Sequence, residues 1–393
     1  MDAAPAGRRP RGCGRGRTGE PGAATMNARM PPQHPSHDAP ALITGGAGFI
    51  GTNLATRLLE SGRRVVVLDN LSRPGVEANA HWLWHRFGDR VEIQVGDVRD
   101  AERVRGLVAN ASEVFHFAAQ VAVTSSLIDP RNDFDVNLGG TLNVLEAMRA
   151  LEAPPSLVFT STNKVYGALD DIALERAGDR YAPRDDALGE AGVDESRPLD
   201  FHSPYGCSKG GADQYVLDYA RSFGLPAALF RMSCIYGPHQ CGNEDQGWVA
   251  HFLRRALARE PITLYGDGRQ VRDILFVEDL ADAFVRCQAR MHELAGRAFN
   301  MGGGPSNALS LREVLDVIAG LTGRVPRIEY GPWRVGDQRW YVSDTRAFRR
   351  ATGWAPSVAA RDGIGRLHDW LLETTMPPRV HAPAPATSRT HAA

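Results

Sequence analysis

Short apolar runs recur along the chain at residues 42–44, 65–68, 91–95, 114–117, 157–160 and 227–230. Most of the intervals between them carry apolar positions at helical spacing, as in the segment running to about Ser61. Strands that read as unbroken apolar runs are covered on both faces, and their alternation with helices predicts an α/β fold with a doubly wound parallel sheet. The pattern does not give the order of the strands. Residues 168–200 break it, being too polar for a core, and predict a long loop that leads into the next helix. Beyond about Arg231 the spacing becomes irregular. A short strand at 262–265 and helices near 250–259 and 311–321 predict a smaller C-terminal region, and no internal repeat is present.

The first apolar run passes directly into a glycine-rich turn, ALITGGAGFIG at residues 41–51, and then into a helical pattern. Gly45, Gly48 and Gly51 are spaced for a tight turn, a close backbone approach to a pyrophosphate and packing of helix on strand, with the amides around Phe49 and Ile50 facing the anion. Gly46, Gly48 and Gly51 fit the same spacing, so the role of each glycine stays open. The second run ends in Asp69, about twenty residues on, where an acid accepts hydrogen bonds from an adenosine ribose. A carboxylate there repels a 2′-phosphate and favours NAD over NADP, although Arg73 lies close by. These features predict a Rossmann-type NAD-binding domain over residues 39–230 and a mainly substrate-binding region over 231–375.

The ends of the chain differ from this interior. Residues 1–38 are rich in Arg, Gly, Pro and Ala without periodicity, and 376–393 lack pattern as well; both read as disordered tails. Met26 and Met30 are alternative starts. Arg8 and Arg9 are not followed by the apolar stretch that an export signal needs. With 45 basic against 46 acidic residues there is no global field for nucleic acid or an anionic membrane, and no apolar run is long enough to span a bilayer. Five cysteines without a C-x-x-C pair read as free thiols in a reducing cytoplasm. The twelve histidines are scattered, and no metal site is expected.

The candidate chemistry lies in HSPYGCSK, residues 202–209. Ser203 is suited to cap a helix and Pro204 to its first turn. Tyr205 and Lys209, four apart, then share one helical face, where an ammonium beside a phenol favours the phenolate and makes a base.

With TGGAGFIG, Asp69, GDVRD at 96–100, HFAAQ at 116–120 and STNKVYG at 161–167, the chain resembles the extended short-chain dehydrogenase/reductase superfamily, specifically its nucleotide-sugar epimerases and dehydratases. The resemblance covers about residues 40–372. DNLSRPG at 69–75, STNKVYG, DFHSPYGCSKG at 200–210 and DQGWV at 245–249 look most like its CDP-sugar 2-epimerase branch.

That resemblance implies roles for individual residues. Thr162 would bond the reacting hydroxyl, with Tyr205 as base and Lys209 as its partner. Asn70, Ser72 and Arg73 would lie with Asp69 around the ribose, and Asp97 and Val98 beside adenine. Phe117, Ala118, Ala119, Gln120, Asn137, Thr160 and Ser233 would follow the nicotinamide half. Arg272 and Arg334 would hold the substrate diphosphate, for which a guanidinium fork is suited. Asn163, Lys164, Cys234, Gln246 and Trp248 would contact the sugar. Singly, each has a plainer reading: Asp97 as a turn residue, Phe117 as core, the arginines as partners of Asp273 or Asp337.

The implied activity is inversion at C2 of a nucleotide-activated hexose through a 2-keto sugar, by a cytoplasmic homo-oligomer, a dimer or tetramer. A UDP-hexose 4-epimerase or a 4,6-dehydratase uses the same dyad, the dehydratase adding acids where this chain has Asn163 and Lys164. A catalytically silent NAD-binding regulator is the alternative of another class.

Overall fold

The computed structural model describes residues 39–334 and 336–375. The tails expected at 1–38 and 376–393 lie outside the described residues. The central sheet contains β1 (Ala41–Thr44), β2 (Val65–Asp69), β3 (Val91–Val95), β4 (Glu113–His116), β5 (Ser156–Thr162), β6 (Ala227–Met232) and β7 (Ala298–Met301). All pairings are parallel, in the order β7-β6-β5-β4-β1-β2-β3. The chain winds outward from β1 to β3, then crosses to β4 and winds the other way. The crevice at the carboxyl ends of β1 and β4 is therefore the switch point at which such sheets bind ligands.

Alternate side chains on these strands enter separate cores, which is why the strands read as continuous apolar runs. Ile43, Val67, Phe115, Val158 and Phe230 pack with Leu54, Leu83, Leu280 and Phe284 on one face. Leu42, Leu68, Val114, Leu157 and Leu229 pack with Val104, Val144 and Val216 on the other. The seventh strand comes from late in the chain, where helix Val277–Ala289 also covers the first of these faces.

Between β6 and the end of the chain a second small sheet forms. In it, Val271–Phe276 pairs with Cys234–Tyr236, Ala308–Ser310 and Trp340–Tyr341. Tyr236, Phe252, Leu253, Ile274, Ile318 and Leu367 form its core.

The segment 168–200 differs from the expected loop. It holds an antiparallel hairpin, Leu174–Ala177 with Arg180–Pro183, and a helix at Asp186–Ala191. Its few apolar residues, among them Leu169 and Val193, are buried against Tyr341 and Val342. The partners that make this segment structured lie far along the chain, so its own polarity did not disclose them.

Candidate active site

The glycine turn is built as a cradle. Gly45 has φ +68°, and a Cβ on it would meet Ala118 N at 2.7 Å; one on Gly51 would meet Gly46 Cα at 2.5 Å. The turn thus lies directly on the β4 crossover and on the start of helix Phe49–Glu60. Gly48 caps that helix without a side chain, so the leading amides at Phe49 and Ile50 have no side-chain acceptor, the kind of helix start that binds anions. Asp69 accepts from Ala47 N at 3.1 Å and Leu71 N at 2.9 Å, which places its carboxylate beside the turn. Burial raises its pKa against those bonds and the nearby Arg73. Asn70 donates to Asp97 at 2.9 Å, joining the loops after β2 and β3. Ser72 N closes the same turn onto Asn70. Asp97 is gripped by Arg99, whose hydrogen bonds hold its pKa well below the carboxylate range. Val98 is buried against Gly140. These residues, far apart in sequence, line one edge of the crevice and fit a dinucleotide.

Across the switch point, Ala118 N donates to Thr44 Oγ1 at 3.3 Å, and Gln120 N to Asn137 Oδ1 at 2.9 Å, with Phe117 and Ala119 half-buried beside them. Asn137 lies in a π-helical turn, Asp135–Gly139, a distortion that re-aims side chains and recurs at functional sites. Its amide nitrogen also reaches Gln120 O at 3.1 Å and Ser208 Oγ at 3.0 Å. Helix Ser203–Phe223 carries Tyr205 and Lys209, both buried. Ser203 is the first residue of the helix and His202 stands at its N-cap; Ser203 takes φ +65°, and its hydroxyl accepts from Gly206 N at 3.3 Å.

The ionisation of the dyad differs from expectation. Burial pushes the Tyr205 phenol up to about 12, opposed by its hydrogen bond with Thr162. Burial also draws Lys209 down to about 7. Lys209 Nζ donates to Thr160 O at 2.6 Å and lies 4.3 Å above the Phe159 ring. The shared helical face is real, but the ammonium is directed to a backbone carbonyl at the end of β5.

The residues expected at the sugar divide into two groups. Asn163 donates to Gln338 at 2.9 Å, Lys164 to Gly336 O at 3.1 Å, and Trp248 Nε1 to Cys234 Sγ at 3.3 Å. Arg272 forms a 2.7 Å ion pair with Asp337, which also lies 3.8 Å from Lys164. Of these side chains, Lys164 lines a cavity of about 240 Å³ at the head of the Tyr205 helix, with Val123, Leu127, His202, Ser203 and Gly336. Arg334 makes other contacts: it pairs with Asp245 at 3.2 Å and lies 3.9 Å above the Tyr265 ring. Gln246 is fixed through its backbone N–H to Asn243. Ser233 bonds the buried Asp273.

Sequence reasoning missed the polar network behind the dyad. Tyr205 N donates to Ser126 Oγ at 3.2 Å, and Ser208 Oγ donates to Asp133, which Asn137 also meets at 3.2 Å. Only the polarity of NDFDVN within an otherwise helical stretch hinted at it.

Residues 41–302 match the model of the NAD dependent epimerase/dehydratase family. The chain is 43% identical to CDP-paratose 2-epimerase of Salmonella typhi, over 84% of this chain and 98% of that protein. It is 34% identical to UDP-glucose 4-epimerase of Mycolicibacterium smegmatis, over 83% of this chain and 96% of that one. Among solved structures, UDP-glucose 4-epimerase of Thermus thermophilus in complex with NAD superposes with a TM-score of 0.69 at 33% identity, over 84% of this chain and 98% of that one.

Proposed function

The chain belongs to the NAD dependent epimerase/dehydratase family and is an NAD-dependent enzyme, and on that premise we propose that it inverts C2 of a CDP-activated hexose, converting CDP-paratose to CDP-tyvelose. The likeness to CDP-paratose 2-epimerase supports the substrate. The observation that carries the reading is the meeting of the Tyr205 and Thr162 hydroxyls, with Asn163 and Lys164, not acids, following Thr162. The glycine turn and Asp69 would hold NAD, which would supply hydride acceptor and donor chemistry.

Every other step falls to side chains. Thr162 orients the C2 hydroxyl, and Tyr205 Oη takes its proton and returns one to the C2 oxygen once the 2-keto sugar has turned its opposite face. Arg272 and Arg334 exchange Asp337 and Asp245 for phosphate oxygens, anchoring the nucleotide while the sugar turns.

Among the described residues no helix is long and apolar enough to cross a membrane. The free thiols of Cys207, Cys234, Cys241 and Cys287 support a cytoplasmic setting. Exposed Ile128, Phe134 and Tyr215, on neighbouring helices, support self-association.

Turnover of C2-deuterated substrate, followed by NMR, tests the reaction. The product should be inverted at C2 with the label retained and no deuterium taken from heavy water. Inversion at C4 alone would make the chain a 4-epimerase; loss of the label to solvent would exclude a returned hydride.

A further inference from the structure

Besides the Phe159 ring, four polar groups surround Lys209, and they are not equivalent. From β5 comes the Thr160 carbonyl. From β4 comes His116, buried between Thr44 and Thr141 and kept neutral, its pKa held down to about 3 by burial and by Lys209 itself. From its own helix comes Asp213, whose carboxylate is matched by Arg231 through two bonds of 3.0 Å. The fourth is Asp133, from the helix Pro130–Phe134. It is fully buried, and among the described residues it has no ion-pair partner. Among the described residues its oxygens accept only from Ser208 Oγ and from Asn137 Nδ2, bonds that with the Lys209 charge oppose the burial that raises its pKa.

We propose that Asp133 is a positioning residue whose buried negative charge, fixed by Ser208 and Asn137, sets the ionisation of the Tyr205–Lys209 dyad. The inference rests on the reading that this dyad performs the proton transfer. Ser208 stands between the two dyad members in sequence and also donates toward Tyr205 O at 3.2 Å, so the carboxylate is tied to the turn of helix that carries them both. An unmatched anion opposes every proton loss around it. It therefore adds to the burial that pushes the phenol up, and works with Asp213 against the burial that draws Lys209 down. Asp213 is already matched by Arg231, which leaves Asp133 as the carboxylate whose removal shifts both groups in one direction.

The test is Asp133→Asn in the full-length, NAD-loaded protein. Phenolate absorbance against pH, taken as the difference between each protein and its Tyr205→Phe counterpart, reads the Tyr205 step without substrate. The pH profile of kcat on a CDP-hexose reads the dyad in turnover. Both should move to lower pH by about one unit, and Asp133→Glu should restore them. Unmoved ionisation in Asp133→Asn with reduced activity would assign Asp133 a purely structural role and overturn the proposal. Should Asp133→Asn not fold, carbon-13 NMR of aspartate carboxyls in the wild-type protein decides: the Asp133 signal should inflect at the pH where Lys209 titrates, and a flat signal overturns the proposal. Absence of wild-type turnover on CDP-hexoses would count against the reaction reading alone, because the phenolate titration needs no substrate.

Discussion

Arg231 in β6 and Asp213 in the Tyr205 helix form a pair with 4% and 0% of their surfaces accessible. Arg231 Nε and Nη2 each meet the carboxylate at 3.0 Å, and Nη1 donates to Tyr166 Oη at 3.1 Å. Tyr166 in turn donates to Asn300 of β7 at 2.7 Å. The set pins the Tyr205 helix to two strands. Arg231→Met retains an apolar stem but leaves Asp213 buried without its cation. Removing one member of such a pair costs about 3–5 kcal/mol, because a desolvated charge loses its partner. Against a total stability of about 5–15 kcal/mol, that is a large fraction. It corresponds to a fall in Tm on the order of 10 °C, measured by calorimetry at fixed, saturating NAD. Arg231→Met with Asp213→Leu removes both charges together with the cost of burying them, and should recover most of the loss. A single-variant cost below about 1 kcal/mol, or a double variant equal to the sum of the two singles, would refute the argument.

Tyr205→Phe leaves the ring to pack and removes only the hydroxyl; it should fold and co-purify with NAD like the wild type, while turnover falls by about 10²- to 10⁴-fold. Wild-type turnover in that variant would take Tyr205 out of the mechanism. His116 makes stability depend on acid: its pKa is drawn from 6.5 to about 3 by burial and the Lys209 charge, so below pH 6.5 the unfolded chain binds a proton that the fold rejects. Its contribution is fully present above pH 6.5 and is lost between there and pH 3, at a rate approaching about 1.4 kcal/mol per pH unit. Urea unfolding at pH 7 and pH 5 should show a drop that His116→Gln reduces, and equal drops in the two proteins would contradict it.

The features legible in the sequence were those whose determinants lie within one local unit. The apolar runs gave the six strands expected, because a strand covered on both faces needs no distant information to be apolar. The glycine turn and Asp69 belong to a single strand–helix–strand unit, and Ala47 N bonding Asp69 closes it. The parts that stayed hidden depend on pairings across long separations. Ser208 reaches Asp133 75 positions away, and Arg272 reaches Asp337 65 away. The seventh strand, Ala298–Met301, reads AFNM, its apolar run broken by Asn300, and is recognised only by its pairing with β6.

The dyad falls between these cases. A spacing of four places Tyr205 and Lys209 on one helical face, but it says nothing about what stands opposite that face. What stands there is the end of β5, where a carbonyl oxygen, with its fixed dipole, is a better acceptor for an ammonium than a neutral phenol. The low dielectric of the packed interior then acts on each group separately, raising the phenol and lowering the ammonium, which reverses the direction that the spacing alone implies. Periodicity could therefore place the pair on one face, whereas its ionisation is set by the strand end and the buried carboxylates that the fold brings up behind it.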